Sequence, residues 1–120
     1  MEKTVLAGAS WGKQKYFYEP KYNAIPNAIK DEIRNICVLT AEKLRCTFLM
    51  TFEKNGDLMF EVIKNEGDFN FDDIYAELLI KKLRSENKEL INSLKLWYVI
   101  HETEDGERVK EEMLKNSKEE

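Results

Sequence analysis

Asn27–Leu44 reads NAIKDEIRNICVLTAEKL, and its spacing decides how the rest of the chain has to be arranged. Ile29, Ile33, Ile36, Cys37, Thr40, Ala41 and Leu44 recur at three- and four-residue intervals. They therefore fall on one stripe of an amphipathic helix. Lys30, Asp31, Glu32, Arg34, Asn35 and Lys43 take the opposite face. Pro26 stands just ahead of the helix, where its missing N–H costs nothing. A helix with one apolar stripe needs a sheet or other helices against it.

Strand-forming segments lie on both sides. Downstream, Cys46–Glu53 (CTFLMTFE) and Leu58–Lys64 (LMFEVIK) are rich in aromatic and β-branched residues. Phe48, Met50 and Phe52 alternate onto one face of the first run, and Phe60 and Val62 share a face of the second. Asn55-Gly56 between them predicts a tight hairpin, with both residues at positive φ in a type I′ turn. Upstream, Thr4–Ala7 reads as a short strand, interrupted by Gly8, Ser10 and Gly12. Lys15–Glu19 is aromatic enough for a second strand, which Pro20 ends. These two predict a loose hairpin.

Beyond Asn65–Asp68, which reads as a turn, Asn70 can cap a helix and Asp72 and Asp73 suit its positive N-terminal end. Phe71, Ile74, Tyr75, Leu78, Leu79 and Leu83 form the expected core-facing stripe. Leu90, Ile91, Leu94, Trp97, Tyr98 and His101 continue it nearly in phase, so the sequence allows one bent helix or two. The order is β-β-α-β-β-α-α. The expected class is α+β: an antiparallel sheet of about four strands with helices packed on one face. Residues 1–103 read as a single domain and residues 104–120 as a charged C-terminal tail.

The 120 residues suffice for one ordinary domain. Hydrophobic residues make up 42%, enough for a core, and charged residues 35%, enough to solvate the surface. No apolar run approaches the ~20 residues of a membrane span. The N-terminus, MEKTVLAGAS, lacks the layout of a signal peptide. The only cysteines, Cys37 and Cys46, form no framework and suit a reducing compartment. The expected location is cytoplasmic. The net charge of −4 alternates in basic and acidic blocks along the chain, unlike the sustained basic patch of a phosphate-binding surface.

Motifs with chemical content are incomplete. Ala7–Lys13 (AGASWGK) follows a strand and loosely fits a phosphate-binding loop. Gln14 replaces the magnesium-binding Ser or Thr, and a strand follows where a helix is needed. Asp68, Asn70 and Asp72 copy the first ligands of a calcium loop, but Asp73 and Leu79 stand where glycine and a bidentate glutamate belong. His101, the only histidine, reads as a capping or rim residue beside Glu102. Cys37 reads as a small core hydrophobe, and no His/Cys/Asp set has zinc spacing. No catalytic residue, metal or cofactor is expected, and the chain is not read as an enzyme.

Ile36–Glu42, the Asn-Gly hairpin and Gly67–Ile74 (GDFNFDDI) resemble a family of small uncharacterised bacterial proteins, a domain of unknown function. The resemblance spans Val5 to Tyr98. It implies a bacterial single-domain protein and transfers no site residues.

Two functional classes follow. The first is a protein-interaction or adaptor module that self-associates as a homodimer. Its interface candidates are Leu96, Val99 and Ile100, which leave the stripe of Leu94, Trp97 and Tyr98 and so make the last helix apolar on more than one side. The alternative is a ligand- or single-stranded nucleic-acid-binding protein. It would use Trp11, Lys13, Lys15, Tyr16 and Tyr18, which mix stacking surfaces with phosphate-tracking cations. The same mixture serves an exposed edge strand with lysine gatekeepers, and the acidic balance favours that reading over nucleic acid.

Overall fold

The computed structural model describes residues 3–103. The expected tail, residues 104–120, lies outside the described residues. The elements are β1 (Thr4–Ser10), β2 (Lys15–Tyr18), a 3₁₀ turn (Pro20–Tyr22), α1 (Asn27–Leu44), β3 (Thr47–Phe52), β4 (Leu58–Ile63), α2 (Asp73–Glu86) and α3 (Lys88–Glu102). The four strands form an antiparallel sheet in the order β2-β1-β3-β4. The chain is thus α+β, in the element order read from the sequence.

The sheet register explains where the core sits. Ala7 and Ala9 of β1 pair with Met50 and Phe48 of β3, which pair with Phe60 and Val62 of β4. Paired residues share a face. This face is buried, with Phe48, Met50 and Phe52 wholly inaccessible. Burying each such side chain stabilises the fold by about 1.5–3 kcal/mol. α1 lies against β1 and β3 through Ile33, Cys37, Thr40, Ala41 and Leu44, the stripe that opens the sequence reading. The small side chains of Ala7 and Ala9 let the helix approach closely. α3 covers the β4 side of the same face. Its Tyr98 ring packs 4.8 Å from Phe52, and its Trp97 ring 5.9 Å from Tyr22.

Three local expectations are corrected, and the open choice between one bent helix and two is resolved. β1 does not stop at Ala7 but runs through Gly8 to Ser10, because the side chain of Leu49 on β3 fills the space that Gly8 leaves open. The β3–β4 turn is not type I′. Gly56 alone has positive φ, at 91°, and Gly56 N–H donates to the Glu53 carbonyl at 2.9 Å. That is a three-residue loop, a type I turn closed by a glycine bulge. The Asn55 side chain accepts from Asp57 N–H at 3.0 Å, and Lys95 of α3 holds Asp57 at 2.7 Å. Finally, the long C-terminal pattern is two helices, broken at Asn87, whose N–H and side-chain amide both donate to the Leu83 carbonyl. α2 is capped by Asp72, whose carboxylate accepts from Tyr75 N–H, and not by Asn70.

The other sheet face carries no helix among the described residues. It presents Val5, Phe17, Leu49, Met59 and Ile63 around Thr51. The Lys3–Glu61 ion pair, 2.8 Å long, reaches across β3 above Thr51. Thr51 is only 1% exposed, and its hydroxyl has no hydrogen-bond partner. An unpaired buried hydroxyl costs free energy that an isosteric methyl does not. Thr51→Val is therefore expected to stabilise the fold by about 1 kcal/mol, raising Tm by several degrees. A thermal melt with unchanged or lowered Tm would mean that the hydroxyl is satisfied.

Candidate functional site

Three connections distant in sequence meet at one end of the sheet. The β1–β2 turn is tied to the end of α1 by Trp11 N–H, which donates to the Cys46 carbonyl at 3.1 Å. Arg45 ends α1 in the left-handed conformation, φ 51°, and its guanidinium lies 5.4 Å from the Trp11 ring centre. Asn65, just after β4, donates its side-chain amide to the Arg45 carbonyl at 3.1 Å. Gln14 is the other non-glycine residue at positive φ among those described, and its side-chain amide donates to the Trp11 carbonyl. Each such residue costs about 1–2 kcal/mol, so both strained non-glycine positions among the described residues flank Trp11 and persist through contacts around it.

Trp11 lines two clefts. One, about 490 Å³, is lined by Trp11, Lys43 and Arg45 together with Asp68, Asp72 and Tyr75. The second, about 360 Å³, is lined by Trp11, Gln14, Lys15, Tyr16, Arg34 and Glu42. Exposed Leu39 borders Trp11 and Arg45 from α1.

The five residues of the aromatic–basic segment do not form one platform. Trp11, Lys13 and Lys15 are exposed. Tyr16 and Tyr18 pair with Ala9 and Ala7 on the helix-covered face and are half-buried there. Tyr18 O–H donates to the Tyr22 carbonyl at 2.7 Å, and burial pushes its hydroxyl up to about 12. Burial likewise raises Tyr16, whose hydroxyl has no partner. The rings are flanked by the chain's own cations, Arg34 over Tyr16 and Lys30 over Tyr18.

α2 carries the surface that sequence reasoning missed. Its buried residues are Ala76 and Leu79, with Ile80 and Leu83 half-buried beside them. Half of the expected core stripe, Ile74, Tyr75 and Leu78, points outward, while Leu79 is buried and Phe71 and Leu83 are half-buried. Ile74 is 72% exposed, Leu78 59% and Tyr75 45%, with Phe69 ahead of the helix at 98%. Alanine at position 76 lets α2 sit close to the body, so the larger residues on its other face are left in solvent. The signal is present in the sequence, since α2 is apolar on two sides, and spacing alone does not say which side packs. On α3, Leu96 is 38% exposed, whereas Val99 and Ile100 are half-buried.

Other candidate groups have structural roles. Asp68 accepts from Asn70 N–H, and Asp72 caps α2. Groups of three or more metal-ligating side chains are absent among the described residues. The His101 ring packs 4.7 Å from Trp97. Burial pushes the Cys37 thiol up to about 12 and Cys46 up to about 11. The thiolate is the reactive form, so neither cysteine is expected to react with a disulfide reagent at pH 8 in the folded protein. Both should react on unfolding, and rapid native labelling would show that one is accessible.

Among the described residues, no helix is long and apolar enough to cross a membrane. Residues 3–106 match a family model described as a family of unknown function, DUF6145. No curated protein and no solved structure matches the chain.

Proposed function

Since the chain belongs to DUF6145, a family of unknown function, we propose from its surface that it is a non-catalytic protein-interaction or adaptor module of the bacterial cytoplasm. The observation that carries this reading is the set of exposed large apolar side chains at the cleft, Leu39 and Trp11 at its edge and Tyr75 in its lining, with Ile74 and Leu78 exposed on the same helix as Tyr75. Exposed apolar side chains grouped among polar ones mark protein contact sites. Trp11 supplies the aromatic anchor typical of interface centres, and the charges of both signs lining the cleft supply orientation. The two buried, unbridged thiols suit the cytoplasm.

The test is affinity capture with the purified chain as bait. A partner bound by the wild type and lost with Trp11→Ala or Leu78→Glu, both folded by circular dichroism, supports the reading. Partners retained equally by both variants would sink it.

A further inference from the structure

We propose that β4 is a pairing edge, and that two copies of this chain join through it, β4 against β4 about a two-fold axis at Val62, into one continuous antiparallel sheet.

Hydrogen-bond direction alternates along a strand, so a few bonds fix the direction of every residue in β4. Glu53 N–H donates to the Asp57 carbonyl at 2.9 Å, where the β3–β4 hairpin closes. Asp57 therefore points to β3, and Met59, Glu61 and Ile63 follow it. The bond from Trp11 N–H to the Cys46 carbonyl agrees, since it turns Cys46, and with it Phe48 and Met50, towards β1. Leu58, Phe60 and Val62 then direct their N–H and C=O groups away from the sheet. The Leu58 carbonyl accepts from the Arg84 guanidinium at 3.0 Å on that outer side. Among the described residues, no hydrogen bond reaches the main chain of Phe60 or Val62 from there.

The two edges of the sheet differ. β2 has four residues, with Lys13 and Lys15 at its start and Pro20 just past its end. Shortness, lysine and proline are the usual protection of an edge. β4 has six residues, LMFEVI, with Glu61 as its only charge and neither proline nor bulge. Such an edge is a template for another strand.

A second β4 satisfies the free groups in one register. An axis at Glu61 would set Glu61 directly opposite its own copy, a destabilising pair. An axis at Phe60 would need Leu58, whose carbonyl Arg84 already takes. An axis at Val62 pairs Val62 with the partner's Val62, and Phe60 with the partner's Lys64, the next residue in the alternation. Each such pair exchanges two backbone hydrogen bonds. The Phe60–Lys64 pair occurs twice, as an isologous interface requires. On the open face of the sheet, half-exposed Ile63 then lies opposite the partner's Glu61, close enough for that side chain's aliphatic stem to cover it.

Sedimentation equilibrium and amide hydrogen exchange on the full chain test the pairing. With a dissociation constant of about 10 µM, the wild type approaches twice the chain mass at about 500 µM. The Phe60 and Val62 amides should exchange about fourfold more slowly at about 500 µM than at about 20 µM, following the fraction of free edge. Those of Met59, Glu61 and Ile63, bonded to β3, should be slow at both concentrations. Ile63→Glu sets like charges opposite each other twice and should weaken association by about tenfold. Adding Glu61→Lys to it should restore association. Leu96→Glu should leave the dimer intact. A wild-type monomer at the higher concentration overturns the pairing, as does a dimer whose Phe60 and Val62 amides exchange at one rate throughout. Dissociation by Leu96→Glu but not by Ile63→Glu also overturns it, by moving the contact to α3. The pairing uses neither Trp11 nor Leu78, so its failure leaves the capture test of the proposed function untouched.

Discussion

Gly56→Ala is expected to destabilise the domain by about 2–4 kcal/mol. Two effects add. Gly56 holds φ 91°, a conformation that an L side chain resists. In addition, an alanine Cβ there would stand 3.0 Å from the Tyr98 ring and 3.4 Å from the Lys95 carbonyl. Both contacts lie on α3, so the turn cannot accept a methyl group without moving the helix that covers the β4 side of the core. Gly67→Ala separates the two effects. Gly67 has φ 81° but nothing within 4 Å of the new methyl, so it should cost only about 1–2 kcal/mol. Urea denaturation of both variants reads the difference. Equal losses would mean that the contact with α3 contributes nothing.

Phe52→Ala should cost about 3–5 kcal/mol, the range of fully buried aromatic truncations. Phe52 has no exposed surface. Its ring lies 5.3 Å from Tyr22 and 4.8 Å from Tyr98. Tyr22 in turn packs on Trp97. The ring therefore joins β3, the 3₁₀ turn and α3, and removing it leaves a cavity bounded by three rigid elements. Phe17 on β2 provides the contrast. It is half-exposed on the open sheet face, so Phe17→Ala should cost under about 1 kcal/mol. If the two alanine variants melt together, the aromatic cluster does not hold these elements.

The sequence was most legible where one periodicity had one interpretation. α1 has one apolar stripe with only Val38 and Leu39 as large apolar residues outside it, and that stripe is what the structure buries. β3 alternates, with Phe48, Met50 and Phe52 on the core face. The hairpin was equally plain, but its turn type was not. Asn-Gly serves both the two-residue type I′ turn and the three-residue loop with a glycine bulge, and the choice depends on register with the partner strand. α2 misled because it is apolar on two sides. Burial followed the close packing allowed by Ala76, a property of the neighbouring surface. The corner around Trp11 was illegible for a different reason. It joins Trp11, Arg45, Asn65 and Tyr75, which no spacing rule connects, and its strained positions are occupied by Gln14 and Arg45 where glycine would have been the visible signal. The place of β1 between β2 and β3 was likewise hidden, since β1 and β3 are separated by the whole of α1.

That strand order governs how the chain can fold. β1 is an interior strand, yet its inner neighbour is made only after β2 and α1. Thr4 must find Phe52 across that distance. The β3–β4 hairpin closes locally and can form within microseconds, whereas joining β1 to β3 closes a long loop before any contact repays it. A chain emerging from the ribosome therefore carries an unpaired β1 edge and an uncovered α1 stripe until β3 is complete. The rate-limiting step is expected to be the meeting of two preformed hairpins beneath α1. Substitutions at Ala7 or Ala9 should then slow folding, while those in α2 should mainly speed unfolding.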